Sequence, residues 1–241
     1  MGPLIVCGTG GSGTRAIADY LIRSGLFMGS DLNESLDSMP FARLLSRFIG
    51  DWLDSRNGDG ASFSPTDFMS AWQATELEHR AGCEGAHWGT KNPSMILIID
   101  LLYQLIPSVR VLHVLRDGVE MAFSSNQRQL VLYGDRVLGP NLADESDEVR
   151  SLRFWQWANS RAAKTGEAHP GRYARVRYEQ FCLDPVGEMQ RISAELDLGL
   201  DHASVEPQLY QRSSRQVDAS QRAQLGALAE EVRPLLASFG Y

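Results

Sequence analysis

Positive charge, cysteine and long apolar runs are all scarce in this sequence. It carries 23 Lys and Arg against 30 Asp and Glu, for a net charge of -7. That balance argues against a general nucleic-acid or membrane-surface partner, so any anion site must be a local cluster of positive charge. The three cysteines, Cys7, Cys83 and Cys182, show no Cys-x-x-Cys spacing, and their odd number argues against a full disulfide framework. No His/Cys cluster offers a metal site, so none is expected. Cys7, inside an apolar strand, reads as a buried small hydrophobe, and a reducing compartment fits best. The longest apolar run, MILII at 95–99, is far too short to cross a bilayer. No basic region and long apolar run precede the first strand, so no signal peptide and a cytoplasmic location are expected. Internal repeats and low-complexity segments are lacking too. What remains is 241 residues of ordinary globular composition, enough for one large domain, read as spanning 1–241.

The patterns that are present alternate strand with helix. Strands are expected at 4–7, 109–115 and 173–177, with a weaker one at 86–90. Helices are expected at 13–24, 40–55, 64–81, 92–107, 117–130, 145–168, 185–196 and 219–239. Ser64 with Pro65 and Asp67, and Asn92 with Pro93, are clear helix starts. Residues 55–62 and 133–148 read as loop-rich insertions. The alternation implies an α/β domain with a mainly parallel central sheet flanked by helices.

The stretch VCGTGGSGTR at 6–15 runs from strand through a glycine-rich turn into a helix. Three ligands suit such a turn. Gly8, Gly10 and Gly13 satisfy the dinucleotide pattern G-x-G-x-x-G, and Asp31 falls about where a ribose-binding acid belongs. Against this, the segment after the helix makes a poor second strand. Gly8 and Gly13 have the spacing of a P-loop, but Thr14 stands where the phosphate-reaching lysine belongs. In the third reading, the backbone N–H groups of Gly10, Gly11, Ser12, Gly13 and Thr14 form an anion nest at a helix N-terminus. Two hydroxyls and the charge of Arg15 assist it, an arrangement suited to a phosphosulfate.

A second segment, VRVLHVLRDGVEMAFSS, arbitrates. Arg116 follows a buried strand at its carboxyl end, where ligands of parallel sheets bind, and Ser124 lies eight residues on in the expected helix. A guanidinium and a hydroxyl so placed can meet one phosphate.

With these residues in place, the sequence resembles the PAPS-dependent sulfotransferase family, in its bacterial and Golgi-type branch (PAPS is 3'-phosphoadenosine 5'-phosphosulfate). GTGGSGTR resembles the family's 5'-phosphosulfate loop through Ser12, Gly13 and Thr14. The Arg116–Ser124 segment resembles its 3'-phosphate segment. Arg177, Tyr178, Glu179, Asp184 and Pro185 resemble a further strand-turn-helix of the family, and GTKNP at 89–93 resembles its Lys-x-Pro loop. The resemblance covers about residues 3–200 and implies a P-loop-like three-layer α/β fold. It also implies sulfuryl transfer from PAPS to a hydroxyl of a small-molecule or carbohydrate acceptor, with release of PAP and no metal.

The resemblance further implies roles. Lys91 would stabilise the sulfate and the leaving oxygen. A carboxylate after the first helix would act as base, Asp31 first and Glu34 next, within a region that also holds Asp37. Arg212 and Arg215 would close over the 3'-phosphate. Asn92 stands where the cytosolic branch has a histidine base. His113, inside a strand, reads as structural, with His87 a minor alternative base. One departure matters: the family usually has Lys or Arg just before Ser-Gly-Thr, and here that residue is Gly11. Arg15 and Lys91 are the cations available to replace it. An NAD(P)-binding oxidoreductase and a non-catalytic nucleotide-binding protein stay open as alternatives.

Overall fold

The computed structural model describes residues 2–58, 63–85, 87–139, 142, 144–212 and 217–241. Four parallel strands form its sheet: β1 (Leu4–Gly8), β2 (Gly89–Lys91), β3 (Arg110–Leu115) and β4 (Tyr173–Arg177), in the order β2-β1-β3-β4. Every residue of β1 and β3 is buried, as expected for central strands covered on both faces. Alternate residues serve opposite layers. Ile5, Cys7 and Val111 join one core cluster; Leu4, Val6, Leu112 and Val114 join another across the sheet. Burial pushes the Cys7 thiol up to about 12, so it stays protonated.

Helix α1 (Thr14–Arg23) lies on the second face, together with α8 (Tyr178–Leu183) and α9 (Pro185–Leu196). The first face is covered by α2 (Met39–Asn57), α3 (Pro65–His79), α4 (Ile99–Leu105) and α7 (Asp147–Glu167). The expected start signals act as written. Ser64 Oγ accepts from Asp67 N and Asn92 Oδ1 from Ser94 N; Asp184 caps α9 in the same way, its Oδ1 accepting from Gly187 N. Among the described residues no helix is long and apolar enough to cross a membrane.

Three expected helices are broken. The segment 92–107 starts as a 3-10 turn at Pro93–Ile98 before α4. The segment 219–239 divides into α10 (Ala219–Gln224), α11 (Ala227–Glu231) and α12 (Arg233–Ser238), with Gly226 at φ 53° between the first two. The expected helix 117–130 stops early, as α5 (Gly118–Ala122), and α6 (Arg128–Leu138) runs into the expected loop 133–148. Side chains cause the break at 123–127. Gln127 Nε2 donates to Met121 O at 3.1 Å and Ser124 O at 2.8 Å, while Ser124 Oγ accepts from Asn126 N at 3.2 Å. These bonds offer the backbone an alternative to the helical ladder. Ser124 therefore sits in a turn beyond α5, not two turns inside a helix.

The register then sets the site. Val6 pairs with Lys91 on one side, and Gly8 with Val114 on the other. The glycine loop after β1 thus emerges between Lys91 and Arg116, at the carboxyl edge of the sheet.

Candidate active site

The glycine loop is held from three directions. Ser12 N donates to Thr9 O at 3.0 Å, closing the turn. Gln129, from α6, accepts from Gly10 N at 2.8 Å and donates to Gly8 O at 3.3 Å. Gly11 and Gly13 adopt φ of 90° and 96°, the region L side chains avoid. A Cβ on Gly13 would lie 2.1 Å from the Tyr178 ring, and one on Gly11 would lie 2.7 Å from Ser124 Oγ. Glycine at position 11 is therefore demanded by backbone and neighbour alike. Of the five expected N–H donors, Gly10 and Ser12 are engaged within the protein. Those of Gly11, Gly13 and Thr14 have no acceptor among the described residues.

Arg116 meets this loop from the adjoining strand. Its Nη1 donates to Gly11 O at 3.3 Å, and its guanidinium lies 5.1 Å from the centroid of the Tyr178 ring. The buried Trp155 donates from Nε1 to Arg116 O at 3.1 Å. Asp117 caps α5 by accepting from Val119 N at 2.7 Å. Arg116 and Ser124 thus converge on Gly11, one at its carbonyl and one at its α-carbon. Arg116 also reaches Glu120, whose other oxygen accepts from Arg212. Arg215 lies outside the described residues.

On the other side of the loop stands Lys91, with its side chain 2% exposed. Its Nζ donates to Ser35 O and Asp37 Oδ1, each at 2.7 Å. Burial is the main cause lowering its pKa, opposed by Asp37 and reinforced by nearby Arg15, whose own side chain is exposed. Asp31 and Glu34 are not brought to Lys91. Both are exposed, and Asp31 faces Arg43 at 3.7 Å. The loop geometry explains the choice of Asp37: Asn33 Oδ1 accepts from Ser35 N and Asp37 N, both at 2.9 Å, and Leu36 turns the chain at φ 62°. His113 is structural. It bonds Tyr173 and Asn159 at 2.8 Å each, and burial lowers its pKa to about 4. His87 is exposed.

A family model described as "Sulfotransferase family" matches residues 3–202. The chain belongs to the sulfotransferase family. Solved sulfotransferases share its fold at low identity. One is sulfotransferase STF9 of Mycobacterium avium (16% identity, TM-score 0.59, covering 98% of this chain and 75% of that one). Another is a sulfotransferase of Alicyclobacillus acidocaldarius (14%, 0.55, 99% and 96%). A third is the sulfotransferase domain of the Synechococcus PCC 7002 olefin synthase (16%, 0.55, 100% and 95%). No curated protein sequence matches this chain.

In this sulfotransferase the dinucleotide alternative loses its footing. After α1 the chain makes two isolated bridges, Phe27 to Trp88 and Leu32 to Ser38, rather than a strand that would carry Asp31 to a ribose. Two residues that sequence reasoning overlooked complete the site. Gln129 clamps the loop, and His79 joins Ser38 Oγ and Gly89 O, both at 2.9 Å, tying the Asp37 loop to β2. Neither had a motif to announce it. A cleft of ≈ 310 Å³ opens beside the loop. Asp37 lines it together with Gly10, Asn92, Gln129 and Tyr133, and the apolar Leu45 and Leu132 add to its walls. Whether the loop suits a phosphosulfate is tested by Ser12 and Thr9. Both hydroxyls are buried without a hydrogen-bond partner among the described residues, beside three unused N–H groups. A donor set of that kind fits anionic oxygens.

Proposed function

We propose that the protein transfers a sulfuryl group from PAPS to a hydroxyl of a small-molecule or carbohydrate acceptor, releasing PAP. PAPS supplies the sulfuryl group on a phosphate leaving group. The N–H groups of Gly11, Gly13 and Thr14, with Ser12 Oγ, hold the 5'-phosphosulfate end, and Arg15 adds charge in the first turn of α1. Arg116, Ser124 and Arg212 hold the 3'-phosphate, with Arg215 assigned to the same end. The observation that carries this reading is the convergence of Arg116 and Ser124 on Gly11, which joins the two phosphate segments into one surface.

Lys91 substitutes for the cation missing at position 11. An ammonium has three protons, and two are directed at Ser35 and Asp37. The third can follow charge onto the sulfate and the leaving oxygen. Asp37 takes the acceptor's proton, ahead of Asp31 and Glu34, because of the three it is the one that lines the cleft. Titration calorimetry tests the donor: PAP is expected to bind at micromolar strength and NADH not at all. Tight NADH binding without a response to PAP would overturn the reading. Transfer of labelled sulfate to a panel of hydroxyl compounds identifies the acceptor.

A further inference from the structure

Glu120 stands between the two arginines assigned to the 3'-phosphate. It lies in α5 one turn beyond Arg116, and its side chain is only 9% exposed. Oε2 accepts from Arg116 Nε at 3.3 Å and Nη2 at 3.2 Å, and Oε1 accepts from Arg212 Nη2. Both carboxylate oxygens are therefore spent on donors that a phosphate would use. An i,i+4 pair with Arg116 alone would be ordinary helix electrostatics. The arrival of Arg212, 92 residues away in sequence, turns the pair into an anion site whose anion is built in.

A second anion entering this cluster meets two difficulties. The guanidinium N–H groups facing Glu120 cannot serve both ligands at full strength, and the fixed negative charge repels the newcomer at short range. Arg116 is further held by Gly11 O and by the Tyr178 ring, so it cannot swing far to offer a fresh edge.

We propose that Glu120 is an internal competitor for the 3'-phosphate and sets how tightly PAPS and PAP are held. The inference rests on the PAPS reading. Its functional consequence is product release. PAP keeps the 3'-phosphate after transfer, and a carboxylate waiting on the same helix retakes the arginines as PAP leaves. Glu120 acts through Arg116 and Arg212, so it is a positioning residue rather than a catalytic one.

The test is Glu120→Gln, which keeps the shape and removes the charge. Calorimetry is run on wild type and variant with PAP and with 5'-AMP, which lacks the 3'-phosphate. PAP is expected to bind the variant about tenfold more tightly or better, because a short-range repulsion is gone. The affinity for 5'-AMP should stay within about twofold, since that ligand does not reach the cluster. Unchanged or weaker PAP binding by the variant overturns the inference, and so does parallel tightening of 5'-AMP. Failure of wild type to bind PAP refutes the parent reading, a result distinct from an unaltered ratio between the two proteins. Should Glu120→Gln fail to fold, Glu120→Asp replaces it. Its shorter carboxylate cannot span both arginines, and PAP should again tighten while 5'-AMP does not.

Discussion

Lys91 Nζ lies 2.7 Å from Asp37 Oδ1, and the two side chains differ tenfold in exposure, 2% against 20%. The cation is sealed, and the anion keeps a face on the cleft. Removing either member leaves the other in surroundings arranged for a pair, and for the sealed cation that is costly.

Asp37→Asn should therefore abolish most transfer. Loss of a positioned base is expected to lower kcat by about 100-fold or more, with PAP affinity changed less than about twofold. Single-turnover kinetics alongside calorimetry separates the two effects. Retained turnover would return the proton-accepting role to Asp31 or Glu34. Lys91→Ala should likewise collapse transfer while PAP still binds, and a turnover close to wild type would remove Lys91 from the chemistry.

Arg116→Ala is expected to weaken PAP by roughly 2 kcal/mol, the scale of a lost charge-assisted phosphate contact. The calorimetric constant in a folded variant decides it. An unchanged value would break the two-phosphate assignment.

Gly11→Lys would restore the residue usual in the family, and it should do harm. The backbone there has φ 90°, and the new Cβ would sit 2.7 Å from Ser124 Oγ. A stability loss of about 1–2 kcal/mol or more is expected from the conformation alone, with the loop displaced against Ser124. Chemical denaturation measures the first effect, and PAP affinity should fall with it. A variant as stable as wild type and faster in transfer would contradict this account of the glycine.

His113 makes stability depend on pH. Its folded pKa, about 4, lies below the ordinary 6.5 because the ring is buried. Between those values the unfolded chain binds a proton that the folded chain refuses, so stability falls as pH drops from 6.5 toward about 4. The loss attributable to this one group is on the order of 3 kcal/mol. His113→Gln should reduce the slope of unfolding free energy against pH across that window by about one proton relative to wild type, read from denaturation curves at several pH values. Parallel curves for the two proteins would refute it.

Much of the fold was legible because local signals agreed. The apolar runs at β1 and β3 and the caps at Ser64 and Asn92 act where their sequence neighbours say they should. The break after α5 was not legible. It depends on Gln127 folding back onto Met121 O and Ser124 O, a contest between side chain and helix that periodicity does not register. That Arg116 and Ser124 come together was readable, and so was the place of Lys91 at the carboxyl edge of the sheet. Its partner was not. Asp31, Glu34 and Asp37 look alike on paper, and the turn made by Asn33 and Leu36 selects the third. Gln129 carries no signature, since an amide 119 residues from the glycine it holds becomes a neighbour only once the sheet and α6 are assembled.

Gln129 also constrains how this chain can change. It forms part of the cleft wall and at the same time pins Gly8 and Gly10. Among the described residues, its neighbours along that wall, Arg128, Leu132 and Tyr133, make no hydrogen bond to the glycine loop, so selection for new substrates can rewrite them separately. Residue 129 is the exception: a lineage that altered it to admit a different molecule would have to rebuild the glycine turn in the same step.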